Sequence, residues 1–248
     1  MAFDLHISNL HVTVEKKQVL HGVNLKVQSK KLHVVMGPNG SGKSSLTLAI
    51  MGHPNYLVSK GTVMLGKKNL LKLEPHLRAR AGVILGFQNP IAVPGVTLFK
   101  FLRAAYAEIF GKKAKSVLEF HKEVLELTKL LQLDPSFLKR SLNEGFSGGE
   151  KKKAEMLQLL ALKPKFVILD EIDTGLDVDA LKTVAHGVNL LIKQGSGVLI
   201  ITHYQRILNY LHPDRVHILI SGKIVKEGDE TLASLIEKQG YGKFHRAD

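Results

Sequence analysis

The sequence predicts an α/β fold with a mixed or parallel sheet as its core, antiparallel strands at the N-terminus and a helical subdomain. Apolar and polar residues alternate over residues 3–27, which is typical of strands with one buried face. Short apolar runs at 32–36 and 166–169 end at polar or glycine-rich loops, as buried parallel strands do. Residues 88–163 have helical periodicity instead. These patterns together indicate a sheet core that is interrupted by a helical insertion.

The composition of the 248-residue chain excludes several classes of protein. It contains no cysteine, which rules out disulfides and any metal or iron–sulfur site ligated by its own thiolates. No apolar run approaches the roughly 18 residues that a membrane span requires, so no direct membrane insertion is expected. The formal net charge of +13 is spread along the chain without an aromatic-basic or zinc-finger pattern, so we expect no nucleic-acid partner.

The first and last parts of the chain supply the predicted core. Strands are expected at 3–7, 19–27, 32–36 and 61–65, and a helix at 44–51 follows the glycine-rich loop after the third strand. Strands return at 166–169 and 198–201, separated by a helix at 179–194, and a hairpin at 216–225 precedes a C-terminal helix.

The middle of the chain supplies the predicted helical subdomain. A proline-bearing loop at 89–97 precedes helices at 98–110 and 117–131, and another helix is expected at 149–161. The predicted division is therefore a core formed by residues 1–88 and 164–248, with a helical subdomain at 89–163.

A phosphate-binding loop follows the third predicted strand. The segment matches the pattern G-x-x-x-x-G-K-[ST], in which glycines let backbone N–H groups approach a phosphate. The following helix directs the positive end of its dipole at the phosphates, the lysine adds a mobile charge, and the serine hydroxyl can ligate Mg²⁺. The candidate binding residues are Gly37, Pro38, Asn39, Gly40, Ser41, Gly42, Lys43, Ser44 and Ser45.

Two acids end the apolar strand at 166–169. Asp170 is placed to hold Mg²⁺ through a water. Glu171 is placed to orient or deprotonate a water that attacks the terminal phosphate. Such a strand ending is common alone, but beside a phosphate-binding loop it predicts the second half of one nucleotide site. A further Ser-Gly-Gly turn, Ser147-Gly148-Gly149, opens a helix and forms a second potential anion-binding N-terminus.

These motifs resemble those of the ATP-binding-cassette (ABC) ATPases, which are P-loop NTPases. Gln88 matches the family's Q-loop, Gly175-Leu176-Asp177 its D-loop and His203 its switch histidine. The resemblance implies ATP and Mg²⁺ as ligands and a head-to-tail pair of subunits that sandwich two ATP. It implies metal-binding roles for Ser44, Gln88 and Asp170, and catalytic roles for Lys43, Gln88, Glu171 and His203. It also implies nucleotide contacts by Ser147, Gly148, Gly149 and Asp177, with the serine and its glycines acting across the pair.

Departures from a usual cassette indicate one subfamily. Phe146 and Glu150 flank the Ser-Gly-Gly turn, and three lysines, 151–153, follow it. These residues, with 170–182 and 202–208, resemble the SufC subfamily, the cytoplasmic ATPases of SUF iron–sulfur cluster assembly. The resemblance implies SufB- and SufD-like scaffold proteins as partners, which hold the cluster. The alternatives are the nucleotide-binding subunit of a membrane transporter and, more remotely, a nucleic-acid-associated ABC ATPase.

Two further expectations concern contacts of this chain. The loop at 88–97 is a candidate docking surface, because exposed Ile91, Val93 and Val96 would suit a partner helix. One lysine among 151–153 is a candidate partner for Glu171 in the lone subunit, where the pair would keep the subunit inactive. In that case Lys152→Ala would raise basal hydrolysis.

Overall fold

Two sheets form the frame of the molecule in the computed structural model, which describes residues 3–202 and 206–244. The strands are β1 (Leu5–Val14), β2 (Lys17–Val27), β3 (Leu32–Met36), β4 (Leu57–Leu65), β5 (Lys68–Asn69), β6 (Val83–Gly86), β7 (Val93–Thr97), β8 (Ser141–Leu142), β9 (Phe166–Asp170), β10 (Gly197–Ile201), β11 (Arg215–Ile220) and β12 (Lys223–Gly228). The helices are α1 (Lys43–Met51), α2 (Pro75–Ala81), α3 (Leu98–Phe110), α4 (Val117–Leu130), α5 (Gly148–Leu162), α6 (Val178–Gln194) and α7 (Glu230–Gln239). Within the described ranges, no helix is both long and apolar enough to cross a membrane.

The larger sheet has the order β12-β11-β3-β10-β9-β6. All its neighbours run parallel except β11 and β12, which form an antiparallel hairpin. Every residue of β3, β9 and β10 is buried, because other elements cover both faces of these central strands. The predicted α/β fold with a mixed sheet is confirmed. The carboxyl ends of β3 and β9 lie at one edge, where loops after parallel strands form ligand sites.

The smaller sheet has the order β2-β1-β4-β5 and is antiparallel, as expected for the N-terminal strands. Its inner face, which includes Leu5, Val12 and Val23, packs with α1 against one face of the larger sheet. A second hydrophobic core lies on the opposite face, beneath α3, α4, α5 and α6. The chain therefore buries both faces of the larger sheet.

The structure differs from the sequence expectations at several places, and the first strand, expected at 3–7, spans Leu5–Val14. The strand expected at 61–65 begins at Leu57, because its first residues pair with β1 although several are exposed. Helix α2 and strand β6 lie in a segment for which we made no prediction. The predicted loop at 89–97 contains β7, which pairs with the distant β8. A strand as short as β7 shows no clear periodicity when its partner is distant in the sequence. Pro94 is tolerated within it because the two-stranded sheet has exposed edges.

The helical block between residues 89 and 163 consists mainly of α3, α4 and α5. Helix α5 packs against α3, α4 and also α6, which lies in the second core segment of the chain. One continuous apolar cluster therefore joins the block to the sheet. The division into a core and a helical subdomain at these boundaries stays a prediction.

A pair of buried histidines lies between β3 and β11. Nδ1 of His33 is 2.9 Å from Nε2 of His217, and the rings are stacked with their centroids 5.2 Å apart. Nε2 of His33 is 3.0 Å from the side-chain oxygen of Gln28. Burial, together with the neighbouring His217, lowers the pKa of His33 to about 4. Burial likewise lowers the pKa of His217, whereas Glu227 opposes that change.

We expect this pair to make folding stability fall in mild acid. The unfolded chain binds a proton on His33 near its ordinary pKa of 6.5, whereas the folded protein binds it only near pH 4. Stability is therefore complete above pH 6.5 and declines towards pH 4, by at most about 1.4 kcal/mol per pH unit for one proton. Urea unfolding of wild type and His33→Gln between pH 4 and 6.5 measures how steeply the free energy of unfolding of each protein changes with pH. Identical slopes would contradict the prediction.

Candidate active site

The phosphate-binding loop connects β3 to α1 at the carboxyl edge of the larger sheet. Gly37 follows β3 directly, and its backbone lies very close to β11. A Cβ added there would lie 2.1 Å from the carbonyl oxygen of Leu219. Gly42 adopts a left-handed conformation with φ of 104°, and it accepts the first helical hydrogen bond from Leu46 N. These two positions require glycine for a close approach and for a positive φ, respectively. The predicted loop is thus built as its motif requires.

Lys43 lies inside this loop. Its Nζ donates to the carbonyl oxygens of Gly37 at 2.8 Å and of Pro38 at 2.9 Å, and the residue is buried. Burial lowers the pKa of the ammonium group, whereas Glu171 and Asp170 oppose that change. The two carboxylates therefore favour the charged form of Lys43, which places a positive charge where phosphates would bind.

The start of α1 is prepared for an anion. The first turn contains no acidic residue and no side chain caps it, so its N–H groups keep their positive partial charge. The buried Oγ of Ser41 has no hydrogen-bond partner among the described residues. An unpaired buried hydroxyl beside open N–H groups fits a ligand with phosphate oxygens.

Asp170 ends β9 next to this loop. Thr47 of α1 donates its hydroxyl to the carbonyl oxygen of Ser44 at 2.8 Å and approaches Oδ2 of Asp170 at 3.4 Å. Burial raises the pKa of Asp170, and the adjacent Glu171 raises it further. Oδ1 of Asp170 is buried without a hydrogen-bond partner in the described part of the chain. This carboxylate oxygen and the exposed hydroxyl of Ser44 fit Mg²⁺, which prefers oxygen ligands. A bound Mg²⁺ would also favour the ionised form of Asp170.

Glu171 and Gln88 are brought together from distant parts of the sequence. Nε2 of Gln88 donates to Oε2 of Glu171 at 2.5 Å. Glu171 has φ of 48°, a conformation that is costly for a residue other than glycine and that concentrates at functional sites. Its backbone N–H donates to the carbonyl oxygen of Ile201 at 2.8 Å, which ties this turn to β10. The sequence contained no signal for either the pairing or the positive φ.

The Ser-Gly-Gly turn lies at the N-terminus of α5 and not at the phosphate-binding loop. Ser147 caps the helix by accepting from Glu150 N, and the Glu150 carboxylate accepts from Ser147 N in return. Gly149 packs against Ala180 of α6. Across residues 3–202 and 206–244, no hydrogen bond joins this turn to residues 37–45 of the same chain. Within the described part of one subunit, the two helix N-termini are therefore not joined by a hydrogen bond.

Two other predicted positions have different outcomes. Asp177 caps α6 by accepting from Ala180 N at 2.7 Å, so a structural role is established for this side chain. His203 lies outside the described residues. Its neighbour Thr202 is described and donates its hydroxyl to the buried carboxylate of Asp173. Neither Thr202 nor Asp173 was predicted, although each follows a strand at the same edge of the sheet.

The expected pairing with Glu171 is wrong for Lys152 and Lys153, which bind other groups. Nζ of Lys152 donates instead to the carbonyl oxygen of Phe87 and lies 3.1 Å from Oε2 of Glu155. Nζ of Lys153 donates to the carbonyl oxygen of Gln132. The reason is that Lys152 lies on the buried face of α5, which packs against the end of β6. The rise in hydrolysis expected for Lys152→Ala from the pairing therefore loses its basis.

The predicted exposure of the loop at 88–97 is confirmed. Ile91 is 78% exposed, and Val93 and Val96 are exposed as well. Phe87, just before the loop, is also more than half exposed. Phe87, Ile91 and Val93 border a cleft of about 270 Å³, which is lined mainly by apolar side chains. Partner docking at this surface stays a prediction.

Comparisons with known proteins agree with the geometry. The profile of a family described as "ABC transporter" matches residues 20–174, more than half of the chain. A probable ABC transporter ATP-binding protein of Streptococcus pyogenes serotype M18 is 50% identical over 96% of this chain and 93% of its own length. Vegetative protein 296 of Bacillus subtilis is 48% identical over 97% of this chain and 92% of its own length. A solved ATP-binding subunit of an ABC transporter has a similar fold, with a TM-score of 0.81 at 23% identity over 98% of this chain and 99% of that one.

Proposed function

We propose a role in iron–sulfur cluster assembly for this chain, which belongs to the ABC transporter family of ATP-binding proteins and is an ATPase that uses ATP with Mg²⁺. In this role, hydrolysis drives a conformational change in SufB- and SufD-like scaffold proteins. The observation that carries the catalytic part is the convergence of the phosphate-binding loop, Asp170 and the Gln88–Glu171 contact at one edge of the sheet. The residues at 146–153 and 170–182, which resemble SufC, support the scaffold part.

The phosphate-binding loop and its neighbours would hold the nucleotide. The N–H groups at the start of α1 and the ammonium of Lys43 neutralise the phosphates. The Ser44 hydroxyl, the side-chain oxygen of Gln88 and the Asp170 carboxylate are the oxygen donors available to Mg²⁺, which would stabilise negative charge on the phosphate oxygens.

Glu171 would take the proton of the attacking water. As the water oxygen bonds to the γ-phosphorus, the bond to the bridging oxygen breaks and ADP leaves. The carboxylate accepts the proton that the water loses, and the Gln88 amide fixes its orientation through the hydrogen bond to Oε2. By its motif, His203 would contact the γ-phosphate.

A second copy of the chain would complete each site. At the turn Ser147–Gly149 the N–H of Ser147 is taken by Glu150, whereas Gly148 and Gly149 begin the helix and have no acceptor within it. Across the described residues, the turn makes no hydrogen bond to its own phosphate-binding loop. A head-to-tail pair would bring this turn, with Asp177 beside it, to the nucleotide held by the other copy. ATP binding would then close the pair, and hydrolysis would allow it to open.

The scaffold would dock beside Gln88. The exposed side chains of Phe87, Ile91 and Val93 border the apolar cleft between β6 and α5, which has room for side chains of a partner helix. Asn143 donates to the carbonyl oxygen of Ile91 at 2.9 Å and so holds the loop in place. A partner in this cleft would contact the residue next to Gln88, which joins docking to the hydrolytic centre.

We expect Ile91→Glu to abolish capture of the scaffold without lowering the melting temperature. The side chain is 78% exposed, so a charge there costs the fold little but opposes an apolar partner. Leu57→Glu is the matched control, because Leu57 is 65% exposed on the edge of the other sheet. Co-purification of scaffold proteins with each tagged variant measures the effect. Equal capture by both variants would place the docking surface elsewhere.

The experiment that tests the whole proposal is a pull-down with tagged Glu171→Gln and MgATP from the host lysate without detergent. Slow hydrolysis should hold the closed pair, so that soluble SufB- and SufD-like proteins are recovered; this outcome would also accord with a cytoplasmic location. Recovery of integral membrane subunits after addition of detergent, without scaffolds, would favour the transporter alternative. The Streptococcus pyogenes relative, a probable ABC transporter ATP-binding protein, supports that alternative.

A further inference from the structure

We propose that the buried Lys152–Glu155 pair of α5 positions the catalytic carboxylate of Glu171, acting through the backbone of Phe87 and the side chain of Gln88. The proposal rests on the hydrolytic role proposed for Glu171, but not on the identity of any partner. Both charged residues are positioning residues, because neither touches the reacting atoms in the arrangement described above.

The pair binds both backbone polar groups of one residue. The N–H of Phe87 donates to Oε1 of Glu155 at 2.7 Å, and Nζ of Lys152 donates to the carbonyl oxygen of Phe87 at 2.5 Å. The two side chains also contact each other, with Nζ 3.1 Å from Oε2. Phe87 is therefore bound on both sides by one turn of α5, although its ring remains exposed.

This contact continues to Glu171 through the next residue. Gln88 follows Phe87 directly, and its amide donates to Oε2 of Glu171. The path thus runs from the side chains of Lys152 and Glu155 to the backbone of Phe87. From there it continues through the Gln88 amide to the carboxylate of Glu171. A shift of the Phe87 backbone would move the amide, and a displacement on the order of 1 Å can lower turnover about a hundredfold.

Burial argues that the pair has this role and is not retained for stability. The side chains of Lys152 and Glu155 are 6% and 10% exposed. Burial raises the pKa of Glu155, whereas Lys152 and the N–H of Phe87 act to lower it. Because a buried ion pair adds little net stability over apolar residues of similar size, its presence requires another reason.

The same helix carries the Ser147–Gly149 turn at its N-terminus. A rigid movement of α5, as when a second copy closes on this turn, would be passed by the pair to Phe87 and on to Gln88. The apolar cleft also borders Phe87, so a docked partner would act on the same residue. The pair therefore lies where closure of the two copies and docking of a partner would both reach Glu171.

The test is the double variant Lys152→Met/Glu155→Leu, which removes both hydrogen bonds to Phe87 but keeps the volume and apolar environment. We expect its melting temperature to stay near that of wild type, its kcat for ATP to fall about tenfold or more, and its KM to change less than about twofold. Lys152→Arg keeps the charge and the donors and should retain most of the turnover. Glu126→Ala/Lys129→Ala removes an exposed pair with the same spacing on α4 and is the matched control.

The outcomes separate this inference from the proposed function. Wild-type kcat in a stable double variant would overturn the positioning role, whereas absence of ATP hydrolysis in wild type would overturn the proposed function. Should the double variant unfold, Glu155→Asp is measured instead, because its shorter carboxylate keeps the charge but withdraws from the N–H of Phe87. A kcat equal to wild type for that folded variant would likewise overturn the inference, and a selective loss of kcat would support it.

Discussion

Glu171→Gln is expected to abolish ATP turnover while ATP still binds. The amide keeps the shape of the side chain and can still accept the hydrogen bond from Gln88, so the geometry around it should persist. It cannot accept a proton from the attacking water, which removes general-base catalysis worth about a hundredfold to ten-thousandfold in rate. Phosphate release at saturating MgATP measures the turnover, and equilibrium dialysis with ATP measures the binding.

A matched control for this variant is Glu126→Gln. Glu126 is an exposed carboxylate on α4 that pairs only with the exposed Lys129 in the described part of the chain, so the same chemical change there should leave turnover unaffected. A Glu171→Gln protein that keeps more than about a tenth of the wild-type kcat would show that another group takes the proton. Unaltered ATP affinity in both variants would show that the phosphate-binding loop is intact.

Gly37→Ala is expected to destabilise the fold and to remove ATP binding together. The new methyl group would lie 2.1 Å from the carbonyl oxygen of Leu219 and 2.7 Å from Oγ of Ser41. The first contact is with the backbone of a paired strand, which cannot rotate away, so β3 and β11 must separate. We expect a loss of free energy of unfolding of about 3 kcal/mol or more, at the upper end of what overpacking a core costs. Urea unfolding with and without MgATP measures both effects.

Gly40→Ala supplies the comparison within the same loop. A Cβ at Gly40 would meet nothing within 4 Å, and the cost comes only from its φ of 77°. Such a left-handed conformation costs a residue other than glycine about 1–2 kcal/mol. If Gly37→Ala were no less stable than Gly40→Ala, the close approach to Leu219 would not be the reason for glycine at position 37.

Much of the fold was readable from local patterns. The helix at 98–110 was predicted with the bounds that the structure has. Apolar residues recur at helical spacing between Thr97, which caps the start of the helix, and Gly111, which caps its end. The phosphate-binding loop was readable because its chemistry depends on residue types at fixed spacing. In contrast, α2 is short and amphipathic only in part, and β7 exists through pairing with residues more than forty positions away. Such elements are stabilised by tertiary contacts and not by local propensity.

The residues that could bind phosphate, Mg²⁺ and water were thus identifiable from types and order along the chain. Their mutual positions were not. That Gln88 contacts Glu171, and that Lys152 pairs with Glu155 and binds the backbone of Phe87 instead of contacting Glu171, depends on how α5 packs against the end of β6. A sequence records which side chains carry charge, but it does not record which of several nearby partners a buried charge will contact. Packing in three dimensions makes that choice, because a buried charge must have its partner within hydrogen-bond distance.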